Sequence, residues 1–239
     1  MMLHKNIVDQ NVLSALQPEA VEASDAEFLV RYKESVEEVI RNARTERSRK
    51  ERSGWRIRDD LGPIVFDGDP KTARVVFLKA NPSYGDGATR KTHFQPHPDW
   101  PLSVAGTHVV EATRAYYHDK VFASLRRSGV SLHQISTRMI KVELCPWASK
   151  KWPTGQEHLL DQLELFPSRA QTYALVHQLV DQGALVLIAR AEECWFSGVP
   201  ALKALLGTRV FVSRAKIAPA ISENMYPGSW SLLLQALRS

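Results

Sequence analysis

Arg74-Val-Val-Phe-Leu-Lys-Ala-Asn-Pro-Ser-Tyr-Gly-Asp-Gly-Ala88 is the segment from which the rest of this chain can be read. Val75, Val76, Phe77 and Leu78 make a short apolar run rich in β-branched residues, and it stops at a cluster of turn formers, Asn81, Pro82, Ser83, Gly85, Asp86 and Gly87. Such a run reads as a buried strand that empties into a polar loop. In open α/β sheets ligands bind beyond the carboxyl ends of the strands, so a loop with Asn, Ser, Tyr and Gly there is a candidate site. The same residues also suit an ordinary strand-to-helix turn, with Asn81 as an Asx-turn residue and Gly85 and Gly87 at positive φ.

Three later segments share the strand character. Ile140 to Pro146 alternates apolar and polar residues, Ala184 to Arg190 is a continuous apolar run of the kind covered on both faces, and Arg209 to Ser213 is a fourth strand. Helical periodicity lies between and after them, over Val109–Ser128, Arg169–Gln182, residues 191–206 and Trp230–Leu237. Strand and helix in alternation predict an α/β fold: a three-layer α/β/α sandwich with a mainly parallel central sheet of about four strands.

Upstream, Ile64, Val65 and Phe66 read as a short strand in an irregular approach. A helix capped by Ser24 or Asp25 runs to about Arg44 on Phe28, Leu29, Tyr32, Val36, Val39 and Ile40, and Pro18 breaks the weaker pattern before it. Residues 1–54 are then a helical arm ending in a basic segment, and residues 55–239 the α/β domain. Arg41, Arg44, Arg47, Arg49, Lys50 and Arg52 form either a solvated helix end or a track for phosphates. Thr89 to Thr107 is a long connection with His93, Phe94, His97 and Trp100, and loops of that length in compact domains usually bind something.

Composition narrows the classes. Hydrophobic residues at 44% and charged residues at 24% of 239 describe a soluble globular chain, and a net charge of +5 is compatible with a polyanionic partner. Cys145 and Cys194 lie far apart without metal-ligand spacing, which points to a reducing, cytoplasmic setting and no disulfide scaffold. Early charges at the N-terminus argue against a signal sequence, and no apolar run has the length of a membrane span. No Gly-x-Gly-x-x-Gly or phosphate-loop pattern occurs, Ser83 lacks a nucleophile-elbow context, and His93, His97 and His108 have no metal spacing, so no cofactor or metal is expected.

Taken in order, several of these loops resemble the uracil-DNA glycosylase-like superfamily over roughly residues 62 to 239. Leu78-Lys79-Ala80-Asn81-Pro82-Ser83 is similar to the Gly-x-Asn-Pro-Gly loop of the mismatch-specific and single-strand-selective branches. The resemblance implies that Asn81 orients the attacking water, with Ser83 in place of a family glycine and Tyr84 walling the pocket. Glu143-Leu144-Cys145-Pro146-Trp147 is similar to a segment in which the family carries Asn to read the base edge; Glu143, an acceptor only when ionised, no longer suits uracil. The loop from Ser213 to Ser222 stands where the family has a histidine motif and has none. Arg214 is the cation expected for the departing base, Lys216 a phosphate contact, and Ile217 or Met225 a wedge. Phe94 is the expected stacking floor, and Ser149 and Lys150 further nucleic-acid contacts. The implied activity is hydrolysis of the N-glycosidic bond of a flipped, non-uracil base in DNA by a cytoplasmic monomer. The alternative is a non-catalytic protein binding nucleic acid or a nucleotide on the same scaffold.

Overall fold

The computed structural model describes residues 8–82, 84, 88–89, 117–215 and 220–239. Five strands form one sheet: β1 (Phe66–Asp67), β2 (Val75–Lys79), β3 (Met139–Glu143), β4 (Leu185–Ile188) and β5 (Val210–Val212). Their order is β1-β3-β2-β4-β5, with β1 antiparallel to β3 and every other pair parallel. The fold is therefore α/β around a mostly parallel sheet, with five strands where about four were expected. The added strand overlaps the expected Ile64–Phe66 segment at Phe66 and is paired at the edge.

Parallel neighbours need crossovers long enough to return the chain to the same end of the sheet, and helices supply them. In chain order the helices are α1 (Gln10–Ala15), α2 (Pro18–Arg41), α3 (Glu46–Arg52), α4 (Ala123–Arg127), α5 (Leu132–Arg138), α6 (Glu157–Glu164), α7 (Pro167–Asp181), α8 (Glu192–Gly198), α9 (Ala201–Ala204) and α10 (Trp230–Arg238), with α4 to α9 in the crossovers. Val199 and Pro200 split the single helix expected over 191–206. A π-helical turn, Tyr117–Val121, precedes α4.

The period-2 geometry of β2 sends its side chains into two hydrophobic clusters. Val76 and Leu78 join Ile140, Val142, Val186 and Ile188, and α1, α2, α6 and α7 cover this face with residues such as Leu16, Leu29, Tyr32, Leu159 and Leu175. Val75 and Phe77 join Met139, Leu185 and Leu187 on the other face, under Val121, Phe122, Leu125 and Leu233. Residues of the N-terminal 54 thus share a core with the sheet.

Helix α2 starts at Pro18, not at Ser24 or Asp25. A proline in the first turn forgoes only an N–H that has no helical partner, so Pro18 opens the helix instead of breaking it. Asp25 is then an interior residue of α2, fully buried, and its carboxylate serves a different helix. It accepts from Ser168 N at 3.0 Å, Ser168 Oγ at 2.6 Å and Trp147 Nε1 at 2.8 Å. Ser168 lies in the first turn of α7, where backbone N–H groups lack helical acceptors, so a carboxylate from α2 supplies the cap.

Candidate functional site

Lys79 ends β2 beside Glu143 at the end of β3, and the two chains stay together past the strands. Leu144 N donates to Lys79 O at 3.1 Å, Cys145 N to Ala80 O at 2.8 Å and Ser149 N to Pro82 O at 3.1 Å. Asn81 sits in this double loop, half-buried, and its side chain bridges it. Nδ2 donates to Pro82 O at 2.9 Å, Ser149 O at 3.0 Å and Ser149 Oγ at 2.9 Å. Ser149 Oγ in turn donates to Lys151 O at 2.9 Å.

Backbone carbonyls only accept, so these contacts fix which end of the carboxamide is nitrogen. Oδ1 is left as an acceptor with no donor among the described residues. The Asn81 amide therefore ties two loops through Ser149; Ser83, whose backbone N–H would close an Asx turn onto Oδ1, lies outside the described residues. Ser149, expected to touch nucleic acid, is buried and engaged with Asn81 and Lys151 through its hydroxyl. Its role is to hold Asn81 in orientation.

Tyr84 lies against Leu61, Ala88 and Ala148. The Arg58 guanidinium is 5.2 Å and the Lys150 ammonium 5.6 Å from its ring centroid, within cation–π range. Arg58 also makes a two-pronged bond to Asp60 at 2.6 Å and donates from its backbone to Ala148 O at 2.9 Å. Tyr84, expected to wall the pocket, thus gathers two cations beside the Asn81 loop, one of them Lys150.

Glu143 is fully buried, within a charged cluster on the Phe77 face of the sheet. Lys79 Nζ is 3.5 Å and Lys141 Nζ 3.6 Å from Glu143 Oε1, and Lys141 Nζ is 3.6 Å from Asp67 Oδ2. Lys79 donates to Tyr117 Oη at 2.7 Å, and both ammoniums lie over the Tyr117 ring at 5.3 and 5.4 Å. Burial alone would lower the lysine pKa values. The tyrosine and carboxylate partners outweigh it and push both above the ordinary lysine range. Among the described residues neither Glu143 oxygen accepts a hydrogen bond of ordinary length, although two ammoniums stand just beyond that distance. The base-reading role expected for Glu143 therefore has to compete with two lysines that already neutralise it.

Arg214 is exposed at the end of β5, its backbone N–H donating to Met225 O at 2.9 Å. Two strand spacings, roughly 10 Å, separate β5 from β2, which leads into the Asn81 loop. Met225 is half-buried and packs against the core on the Phe77 face. Ser83, Phe94, Lys216, Ile217, His93, His97 and His108 lie outside the described residues.

Sequence reasoning passed over Lys79, Lys141, Asp67, Tyr117 and Arg58. For one of these a signal existed: alternation in Ile140-Lys-Val-Glu puts Lys141 on the same strand face as Glu143. Among the described residues no group of His, Cys, Asp or Glu is placed to hold a metal, and no helix is long and apolar enough to cross a membrane. Neither a protein family, nor a curated protein, nor a solved structure matches the chain. What the fold and site define is a mostly parallel α/β protein with an oriented amide and a cationic rim at the carboxyl edge of its sheet.

Proposed function

We propose that this chain is a divergent uracil-DNA glycosylase-like protein of the three-layer α/β/α type. It acts as a cytoplasmic monomer that hydrolyses the N-glycosidic bond of a flipped, non-uracil base in DNA. The carrying observation is the fixed Asn81 amide, with Nδ2 committed to Pro82 O and Ser149 and Oδ1 without a donor among the described residues. Such an oxygen orients an attacking water by accepting one of its hydrogens, though a neutral amide cannot take the proton. Arg58 and Lys150, gathered at Tyr84, supply positive charge for the phosphates beside a flipped nucleotide. Uracil's edge needs both a donor and an acceptor; Glu143, acceptor-only and flanked by ammoniums, does not provide that pair, hence a non-uracil base.

The test is formation of abasic sites in DNA carrying each altered base in turn. Asn81→Ala should lower turnover by about 10²-fold or more. Asn81→Asp should not restore it, because a carboxylate would face the two carbonyl oxygens now 2.9 and 3.0 Å from Nδ2 and lose its orientation. Turnover unchanged in Asn81→Ala ends the assignment.

The second reading is binding without hydrolysis. It is favoured by Arg214, the cation assigned to the departing base, standing exposed two strands from Asn81. Salt-dependent DNA binding with no abasic product on any substrate would select it.

A further inference from the structure

The basic segment that precedes the sheet in sequence lies beside the candidate site in space. Lys151 N donates to Gly54 O at 2.8 Å, just past the end of α3, and Lys151 Nζ is 3.7 Å from Glu51 Oε1 on α3 itself. The approach is close: a Cβ at Gly54 would stand 2.9 Å from Lys151 Cγ, so glycine is what lets the two segments touch. Lys151 is two residues from Ser149, which holds Asn81. One short loop therefore separates α3 from the oriented amide.

The face of α3 turned toward that loop can be named. Glu51 meets Lys151, and residues three and four apart share a helix face, so Arg47 lies on the Glu51 side and Lys50 flanks Arg47. The neighbouring cations are occupied: Arg49 pairs with Glu46 at 3.8 Å and Arg52 donates to Val39 O at 2.8 Å. Arg47 and Lys50 are exposed and have no ion pair among the described residues. Glu51, the acidic residue on this face, is matched by Lys151.

We propose that Arg47 and Lys50, continued by Lys150, form a phosphodiester track that carries a nucleic-acid strand from α3 into the Asn81 loop. This deepens the nucleic-acid reading of that site and rests on it. The occupant follows from charge: a row of exposed cations leading to one edge of a sheet complements a polymer of evenly spaced phosphates, and contacts of this kind position a strand without reading its sequence.

The experiment is fluorescence anisotropy of labelled single-stranded and duplex DNA with the full chain across a salt series. The double variant Arg47→Gln, Lys50→Gln should flatten the slope of log K against log salt by about 1.4 on single strands and about 1.8 on duplex, two phosphate contacts in each case. It should weaken all sequences alike. The double variant Arg126→Gln, Arg127→Gln, on exposed residues of α4 under the opposite sheet face, removes the same charge and should leave the slope unchanged. An unaltered slope in the α3 variant overturns the proposal. So do equal losses in both double variants, which would mean net charge alone, and binding of phosphatidylserine vesicles in place of DNA. If the α3 variant flattens the slope and no substrate yields an abasic product, the track stands and only hydrolysis fails. If Asn81→Ala abolishes turnover and the α3 variant binds like wild type, only the track fails.

Discussion

Replacing Glu143 by Gln keeps the shape of the side chain and removes the negative charge 3.5 Å from Lys79 Nζ and 3.6 Å from Lys141 Nζ. At an effective dielectric of about 20, one such pair attracts by about 5 kcal/mol. In the native cluster the desolvation of the ions offsets much of that gain. Taking away only the carboxylate leaves two buried ammoniums with the offset gone and the desolvation still present. Lys79 keeps Tyr117 and Lys141 keeps Asp67, so the expected loss is that of a broken buried pair, about 3–5 kcal/mol.

Denaturant unfolding at neutral pH reads this directly as a lower midpoint with an unchanged slope. The pH dependence supplies a second readout with a definite sign. Both lysines titrate above their ordinary value of 10.5 in the folded chain. A raised folded pKa means the contribution is complete below the unfolded value and is lost as pH rises toward the folded one. The deficit of the Gln variant should therefore be constant through neutral pH and narrow above the ordinary lysine value, because only the wild type loses the cluster's stability there. A loss below about 1 kcal/mol at neutral pH, or a deficit that does not narrow in alkali, would refute the account of a buried, mutually dependent cluster.

Asp25→Ala should cost about 3 kcal/mol in denaturant unfolding, since it orphans the Trp147 indole N–H and the Ser168 backbone N–H together. Gly198→Ala should destabilise by about 1–3 kcal/mol, because the new Cβ would lie 2.1 to 2.3 Å from atoms of the Tyr173 ring; combined with Tyr173→Ala the two losses should fall short of their sum. The Cys145 thiol is pushed up to about 12 by burial, so a thiol reagent at neutral pH should label at most Cys194 in the native chain and both cysteines after unfolding.

The strands show how far periodicity reaches. Val75 to Leu78 and Leu185 to Ile188 are apolar at every position, and both are buried inner strands of a parallel sheet, as such runs should be. Ile140-Lys-Val-Glu alternates, which reads as a half-exposed strand, yet all five residues of β3 are buried. The discrepancy is electrostatic. Lys141 and Glu143 enter the interior because Asp67 from the antiparallel edge strand and Lys79 from the parallel neighbour neutralise them there. A hydropathy pattern records the polarity of a residue and carries no information about an ion partner on another strand.

Asp25 and Asn81 carry the same lesson: each is a residue type that caps or turns the chain locally, and each also makes a bond far along the chain. In the folded chain Asp25 caps a helix 143 residues away and Asn81 ties its loop to Ser149, 68 residues away. The pairings of Lys151 with Gly54 and Glu51 likewise join a basic segment to a loop about a hundred residues later. What the amino-acid order determined alone was the kind of the inner strands and which faces are apolar, because those follow from near-neighbour spacing along the chain. Which polar groups meet at the sheet's carboxyl edge was decided only by tertiary structure. Those contacts join residues distant in sequence, and they come within bonding distance only when burial of the apolar faces has set strand order and register.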